Sequence, residues 1–259
     1  MNQEKRILVC EDSMEGIFSA VYDGWKECAG GCKVSIQTSF PVSMELFTSY
    51  REIATDQSKA GKVMRTILMR LGSEVYEQIC LAAASADEDR GTAIYYVLHR
   101  AFGGGRCEKR VMEALADPYV SRVAKLALCV KREYHHYFGF VRFREIGGRF
   151  LWAKIQPGND ILSLMALHFS NRFPNENWVI YDEKRQKALC HEKGKECVMR
   201  KEVRIQVPGS AVGDMGKYEE LWQTFCDSIS IEARRNEKLQ KQMLALHFRS
   251  NMPEFSVKG

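Results

Sequence analysis

Residues 134–157 read YHHYFGFVRFREIGGRFLWAKIQP, Tyr134 to Pro157, and alternate in strand fashion on both sides of Gly147-Gly148. Two glycines between alternating runs suit a tight hairpin turn, because glycine takes positive φ without a steric penalty. With those two as the turn residues, Ile146 faces Arg149, Arg144 faces Leu151 and Phe143 faces Trp152. One face then carries Phe140, Arg142, Arg144, Arg149, Leu151 and Ile155, and the other Val141, Phe143, Phe150, Trp152 and Lys154. A slip of one residue would exchange the two faces. Arginines beside aromatic rings on a sheet suit phosphate pairing with base stacking. The same pattern also fits a half-buried hairpin with its guanidiniums in water.

Immediately upstream, Asp117-Pro118 marks a helix start, with Asp as N-cap and Pro at the first helical position. The spacing predicts a helix to about His136, with Val120, Val123, Ala127, Val130 and Tyr134 as its apolar stripe. Arg122, Lys125, Arg132 and His136 fall on another face, and this basic stripe runs on into the hairpin. Such a stripe is a solvated face or a phosphate-tracking surface. Downstream, Gly158-Asn159-Asp160 reads as a turn and cap for a helix over Ile161–Phe169. Trp178–Tyr181 and Lys187–Cys190 form a second hairpin around residues 182–186, and Glu202–Val207 reads as a last strand after the charged stretch 192–201. Tyr218, Leu221, Trp222, Phe225 and Ile229 have the spacing of an amphipathic helix.

In the first half, Arg6–Cys10 reads as a short buried strand and Lys33–Thr38 as a second. Between them Ile17, Phe18, Val21, Tyr22 and Trp25 have helical spacing, with Asp12 as N-cap and Glu15 three residues on. From Ser43 to about Phe102 the pattern is helical, with helices over Ser58–Leu71, Val75–Ala83 and Thr92–Phe102. The run Gly103-Gly104-Gly105-Arg106 follows a helix and lacks a Gly-Lys-Ser/Thr, so it reads as a connector and not as a phosphate loop. Strands first, a helical middle and hairpins later make an α+β fold, taken as a single domain over residues 1–259 with a candidate sub-boundary near 103–117.

Composition bounds the function classes. With 45% hydrophobic and 27% charged residues the chain is an ordinary globular one, and no apolar run approaches the roughly 20 residues of a membrane span. The start, MNQEKRILVCEDS, has no signal-peptide layout, so a cytoplasmic protein is expected. Nine scattered cysteines fit a reducing compartment and not a disulfide framework. Cys28 and Cys32 have half of a metal-site spacing, and Cys190 with Cys197 supplements it weakly; no metal and no cofactor are assigned. A net charge of +5 permits a polyanion partner without requiring one.

Several segments together resemble a known family. They are LVCEDSMEGIFSAVYDGW, ADPYVSRVAKLALCVKREYHHYFGFVRFRE, FLWAKIQPGNDILSLMALHFSNRFPNENWVIYDEKRQKAL, and the tail from YEELWQTFCDSISIEARRN to RSNMPEF. The family they resemble comprises DNA metabolism or DNA repair proteins built on a domain of unknown function. Some relatives carry that domain ahead of a uracil-DNA glycosylase-like domain, and others accompany a radical SAM protein. The resemblance implies a role near DNA beside a radical SAM partner, and supplies no reaction and no catalytic residues.

Three readings follow. In the first, an accessory protein binds nucleic acid through Arg122, Lys125, Arg132, Arg142, Arg144 and Arg149, with Tyr137, Phe138 or Trp152 exposed to stack on bases. In the second, a nuclease or base-processing hydrolase draws its acids and bases from Asp160, His168 and Asp182, with Glu11 and Asp12 at the other end. In the third, the chain is an adaptor for the radical SAM protein and makes no DNA contact of its own. Whether the chain is an enzyme is left open by these residues.

Overall fold

The structure, a computed structural model, describes residues 5–28, 33–41, 43–103, 108–146 and 150–203, with residues 238, 244, 246–249, 252 and 255 beyond. It divides into two compact units, Met1–Arg132 and Glu133–Gly259. No helix among the described residues is long and apolar enough to cross a membrane. Among the described residues, helices and two separate sheets make the fold α+β.

The first unit is built on a parallel sheet of order β2-β1-β3, from β1 (Lys5–Cys10), β2 (Lys33–Gln37) and β3 (Thr48–Ile53). Ile7, Leu8, Val9 and Cys10 of the central strand are all buried, as a continuous apolar run in a parallel sheet must be. Helix α1 (Met14–Cys28) joins β1 to β2 and buries Ile17, Phe18 and Val21. Its cap is not Asp12, as expected, but Ser13, whose Oγ accepts from the Gly16 N–H at 3.0 Å. Asp12 is drawn off by the guanidinium of the buried Arg90, which also donates to the carbonyls of Ala83 (3.2 Å) and Asp87 (2.7 Å).

Strand β3 corrects the helical reading that began at Ser43. Its sequence TSYREI shows no hydrophobic period because only Ile53 is buried, and backbone pairing with β1 along all six residues decides its conformation. Helices α2 (Gln57–Leu71), α3 (Ser73–Ala83) and α4 (Arg90–Gly103) follow where the 3.6-residue period predicts them. Asp56 caps α2 by accepting from Ser58 N–H (2.8 Å) and Lys59 N–H (3.2 Å). Thr92 of α4 closes the outer edge of β2: its hydroxyl accepts from Ile36 N–H (2.9 Å) and donates to Ile36 C=O (3.0 Å). Gly91 permits this approach, since a Cβ there would lie 2.7 Å from Ile36 Cγ2.

Helix α5 spans Pro118–Phe140, and Asp117 caps it by accepting from Tyr119 N–H (2.8 Å) and Val120 N–H (3.2 Å). It runs four residues past His136, so Phe140 is helical and Val141–Phe143 lie outside any strand. The second unit's sheet has order β4-β5-β6-β7-β8, from β4 (Arg144–Ile146), β5 (Phe150–Ile155), β6 (Trp178–Asp182), β7 (Lys187–His191) and β8 (Val198–Arg200). β5 and β6 are parallel, joined through α6 (Leu162–Arg172), and the other neighbours are antiparallel. Among the described residues the last strand is therefore Val198–Arg200; Glu202 and Val203 lie outside it, and residues 204–207 of the expected strand lie outside the described residues. So does the expected Tyr218–Ile229 helix.

The first hairpin's register differs from the expected one by a residue. Arg144 pairs with Trp152, Glu145 with Leu151 and Ile146 with Phe150. Three residues, 147–149, therefore separate the paired ends where two were expected, and every side chain of β4 changes face relative to β5.

Candidate nucleic-acid interface

Alternation along β5 sorts its side chains into two sets. Leu151, Ala153 and Ile155 share a face with Trp178, Ile180, Asp182, Leu189 and His191, by the pairing across β6 and β7. Ala153, Ile155, Trp178, Ile180 and Leu189 are buried there, and α6 packs on this side, with Phe169 against Trp178 at 6.1 Å between ring centroids. Trp178 is 0% exposed; this face is core.

The opposite face carries Phe150, Trp152 and Lys154 of β5, Arg144 and Ile146 of β4, and Val179 and Tyr181 of β6. Ala188 and Cys190 of β7 and Val198 and Arg200 of β8 continue it to the far edge. Phe150 and Trp152 are half-buried, and Arg144, Lys154, Val198 and Arg200 are exposed. Trp152 stacks on Tyr181, with centroids 5.6 Å apart and 26° between the rings. A shallow depression of about 230 Å³ is lined by Ile146, Phe150, Trp152, Val179, Cys190 and Arg200. Lys154 is held by Glu183 at 3.2 Å, while Arg200 makes no ion pair among the described residues. The Cys190 thiol is pushed up by burial, with Arg200 opposing, which favours a neutral thiol over a nucleophile. What this face offers chemically is an aromatic floor with guanidiniums at both ends of the strand order.

The remaining predicted binding residues take other places. Tyr137 is 4% exposed, packed on Phe248 at 4.8 Å, and burial beside Glu133 raises its hydroxyl's pKa; it is a core ring and not an exposed stacking one. Phe138 is half-buried and lies face to face on His168, centroids 3.9 Å apart. Arg142 donates to the Gly139 carbonyl at 2.8 Å, at the end of α5. In the first unit, Arg122 pairs with Asp87, and Lys125 and Arg132 are exposed. Arg149 lies outside the described residues.

Two of the three candidate acid/base residues converge. Asp160 pairs with Lys187, and the fully buried Asp182 accepts from Arg185 N–H (3.1 Å) and Arg185 Nη1 (3.2 Å). Arg185 also donates to the Pro157 carbonyl (3.1 Å), and Glu133 accepts from Gly158 N–H (2.6 Å), Asn159 N–H (3.0 Å) and Asn159 Nδ2 (2.6 Å). Burial raises the Asp182 carboxyl's pKa against the opposing pull of Arg185. Each of the two aspartates thus has its own cation, and the cluster ties the 156–160 loop to the β6–β7 turn. His168 stands apart, against Phe138 and Phe169, with Nε2 buried and without a hydrogen-bond partner among the described residues. Among those residues no group of three or more His, Cys, Asp or Glu is placed to hold a metal ion. Cys190 and Cys197 are free thiols, Cys197 lying 3.0 Å from the Ser170 hydroxyl; Cys32 lies outside the described residues.

Sequence reasoning missed Arg200 and Tyr181 as members of the face. The signal for Arg200 was the alternation Val198-Met199-Arg200, hidden inside a charged stretch. Glu133 carried no local signal, since its partners Gly158 and Asn159 lie 25 or more residues away along the chain, and for Arg185 only the Asp182 pair was local, the Pro157 carbonyl being 28 residues away.

No curated protein and no solved structure matches the chain. The family model described as a domain of unknown function, DUF4130, matches residues 88–254. That span is more than half of the chain and includes the whole sheet of the second unit. The chain belongs to the DUF4130 domain-of-unknown-function family.

Proposed function

We propose that the open sheet face of the second unit binds single-stranded nucleic acid, and that the protein serves as an accessory in DNA metabolism or repair beside a radical SAM protein. The observation that carries the first part is the pairing of Arg144 with Trp152, which puts a guanidinium and a half-buried indole side by side on one face. Phe150, Lys154 and Arg200 extend the same combination across the strands. Stacking on a sheet-borne ring requires an unpaired base, so single strands fit this surface better than a duplex. The choice of DNA, the link to repair and the radical SAM partner rest on the resemblance of the quoted segments, and a cytoplasmic setting on the nine scattered cysteines, which suit a reducing compartment.

Fluorescence anisotropy with labelled single- and double-stranded oligonucleotides across a salt series tests the proposal. Arg144, Lys154 and Arg200 can neutralise three phosphates, for which a single strand has a log–log salt slope of about −2. Tighter binding to the single strand with a slope of that order supports the surface. No binding of either oligonucleotide at 50 mM salt sinks it and shifts attention to docking on the radical SAM protein. Trp152→Ala, followed by thermal melting beside its binding curve, separates a stacking role from a packing one.

A further inference from the structure

The first unit has a second, chemically different concavity. Helices α1, α2 and α4 leave a groove of about 440 Å³ between them, a size in the range of sites for small ligands. Its floor and walls are Val21, Val63, Ile67, Leu98, Phe102 and Trp25, and among the described residues the only uncharged hydrogen-bonding side chains on the lining, apart from the Trp25 indole, are Thr66 and the phenol of Tyr22. Trp25 remains 37% exposed although it touches Phe102 (6.1 Å) and His99 (5.5 Å). At the mouth, the ammonium groups of Lys26, Lys59 and Lys62 stand 5.3, 6.0 and 5.7 Å from the centroid of the Tyr22 ring.

These three cations are not equivalent. Lys59 is neutralised by both oxygens of Asp23, at 2.9 and 2.8 Å. Lys26 and Lys62, both exposed and both on the lining, have no carboxylate partner among the described residues. Two like charges on one ring repel each other, and an anion between them would relieve that repulsion. A neutral hydrocarbon would fill the groove and leave the lysines as they are. A sugar or an unmodified nucleobase would bring polar edges to walls that cannot satisfy them.

We infer that this groove binds a small amphipathic anion: a flat or aliphatic apolar body lodged against Trp25 and Phe102, with a carboxylate or phosphate head between Lys26 and Lys62. The inference is independent of the nucleic-acid reading, which concerns the other unit.

A matched pair of probes tests it on the full chain. 1-Anilinonaphthalene-8-sulfonate and N-phenyl-1-naphthylamine share an aromatic body, and only the first carries an anionic head. The sulfonate should bind saturably and more tightly than the neutral amine. Lys26→Gln with Lys62→Gln should weaken the sulfonate about tenfold, the order supplied by two partly exposed ion contacts, and leave the amine unchanged. Thr66→Trp, which fills the groove, should remove both; Trp25→Phe, if Thr66→Trp fails to fold, should sharply reduce tryptophan-sensitised probe emission, to what the other three tryptophans supply. Displacement by 2-naphthoate or by 2-naphthyl phosphate then identifies the head group. Equal binding of the two probes, an unchanged sulfonate affinity in the double variant, or displacement by neither naphthyl acid would overturn the inference.

Discussion

Arg144→Gln is the most selective perturbation of the proposed interface. Arg144 is exposed and sits on a three-residue strand at the sheet edge, so its replacement should leave stability within about 0.5 kcal/mol. Its effect on binding follows from counterion release: one phosphate contact to a single strand contributes about 0.7 to the log–log salt slope. At 0.1 M salt that one contact is worth about fivefold in affinity, or about 1 kcal/mol, and at 50 mM about eightfold. The variant should therefore show a slope shallower by about 0.7 and a loss that shrinks steadily as salt rises. Lys154→Gln should make the slope shallower by less than a full ~0.7, because Glu183 already holds that ammonium at 3.2 Å. Anisotropy titrations at four or five salt concentrations, with wild type and both variants on one oligonucleotide, give the slopes directly. An Arg144→Gln slope equal to that of wild type would refute the reasoning, since it would mean that this guanidinium releases no counterion on binding.

Three further perturbations address stability within each unit. Glu133→Gln turns a carboxylate that accepts three hydrogen bonds from Gly158 and Asn159 into an amide, and should cost about 1.5–3 kcal/mol in urea unfolding; a change under 0.5 would remove the clamp from the account. Asp117→Ala should cost about 1 kcal/mol at pH 7 as a lost N-cap. Burial raises the Asp117 carboxyl's pKa, but Val120 N–H, Arg100 and Tyr119 N–H outweigh it and hold it below the usual carboxylate range. The stability it supplies is therefore present above the unfolded value near pH 4 and lost as pH falls through the folded one, so wild type and Asp117→Ala should converge in acid. For His168, burial first, then Arg172 and His135, hold the imidazole below its ordinary pKa of 6.5. Folding is then favoured by the neutral ring, and stability declines as pH falls below 6.5, where the unfolded chain takes up the proton first. His168→Phe keeps a ring stacked on Phe138 and should flatten the pH 5–6.5 part of the stability profile; an identical profile would show that His168 does not contribute to it.

Some of this molecule was legible locally. The buried run of β1, the Asp117-Pro118 start of α5, the period of α2 to α4 and the Trp178/Lys187 hairpin each carry their signal within a dozen residues, and each formed where that signal stood. Arg144 and Trp152 were also visible as a guanidinium and a ring on neighbouring strands. Which face each would occupy was not, because a separation of three residues instead of two between paired ends reverses a face without altering any local preference. Strand β3 had no period of its own and became a strand by pairing with β1. Asp12 had a good capping position and lost it to Arg90, which lies 78 residues away in sequence. Asp160 and Asp182 were named as separate acids, and only the folded chain shows that they share one cluster with Lys187, Arg185 and Glu133. The amino-acid sequence thus determined the elements that carry a period of their own, since helical and strand periods are properties of neighbouring residues. Register, strand order and the partner of each charge were decided by tertiary structure, because they depend on contacts between residues that are distant in the chain.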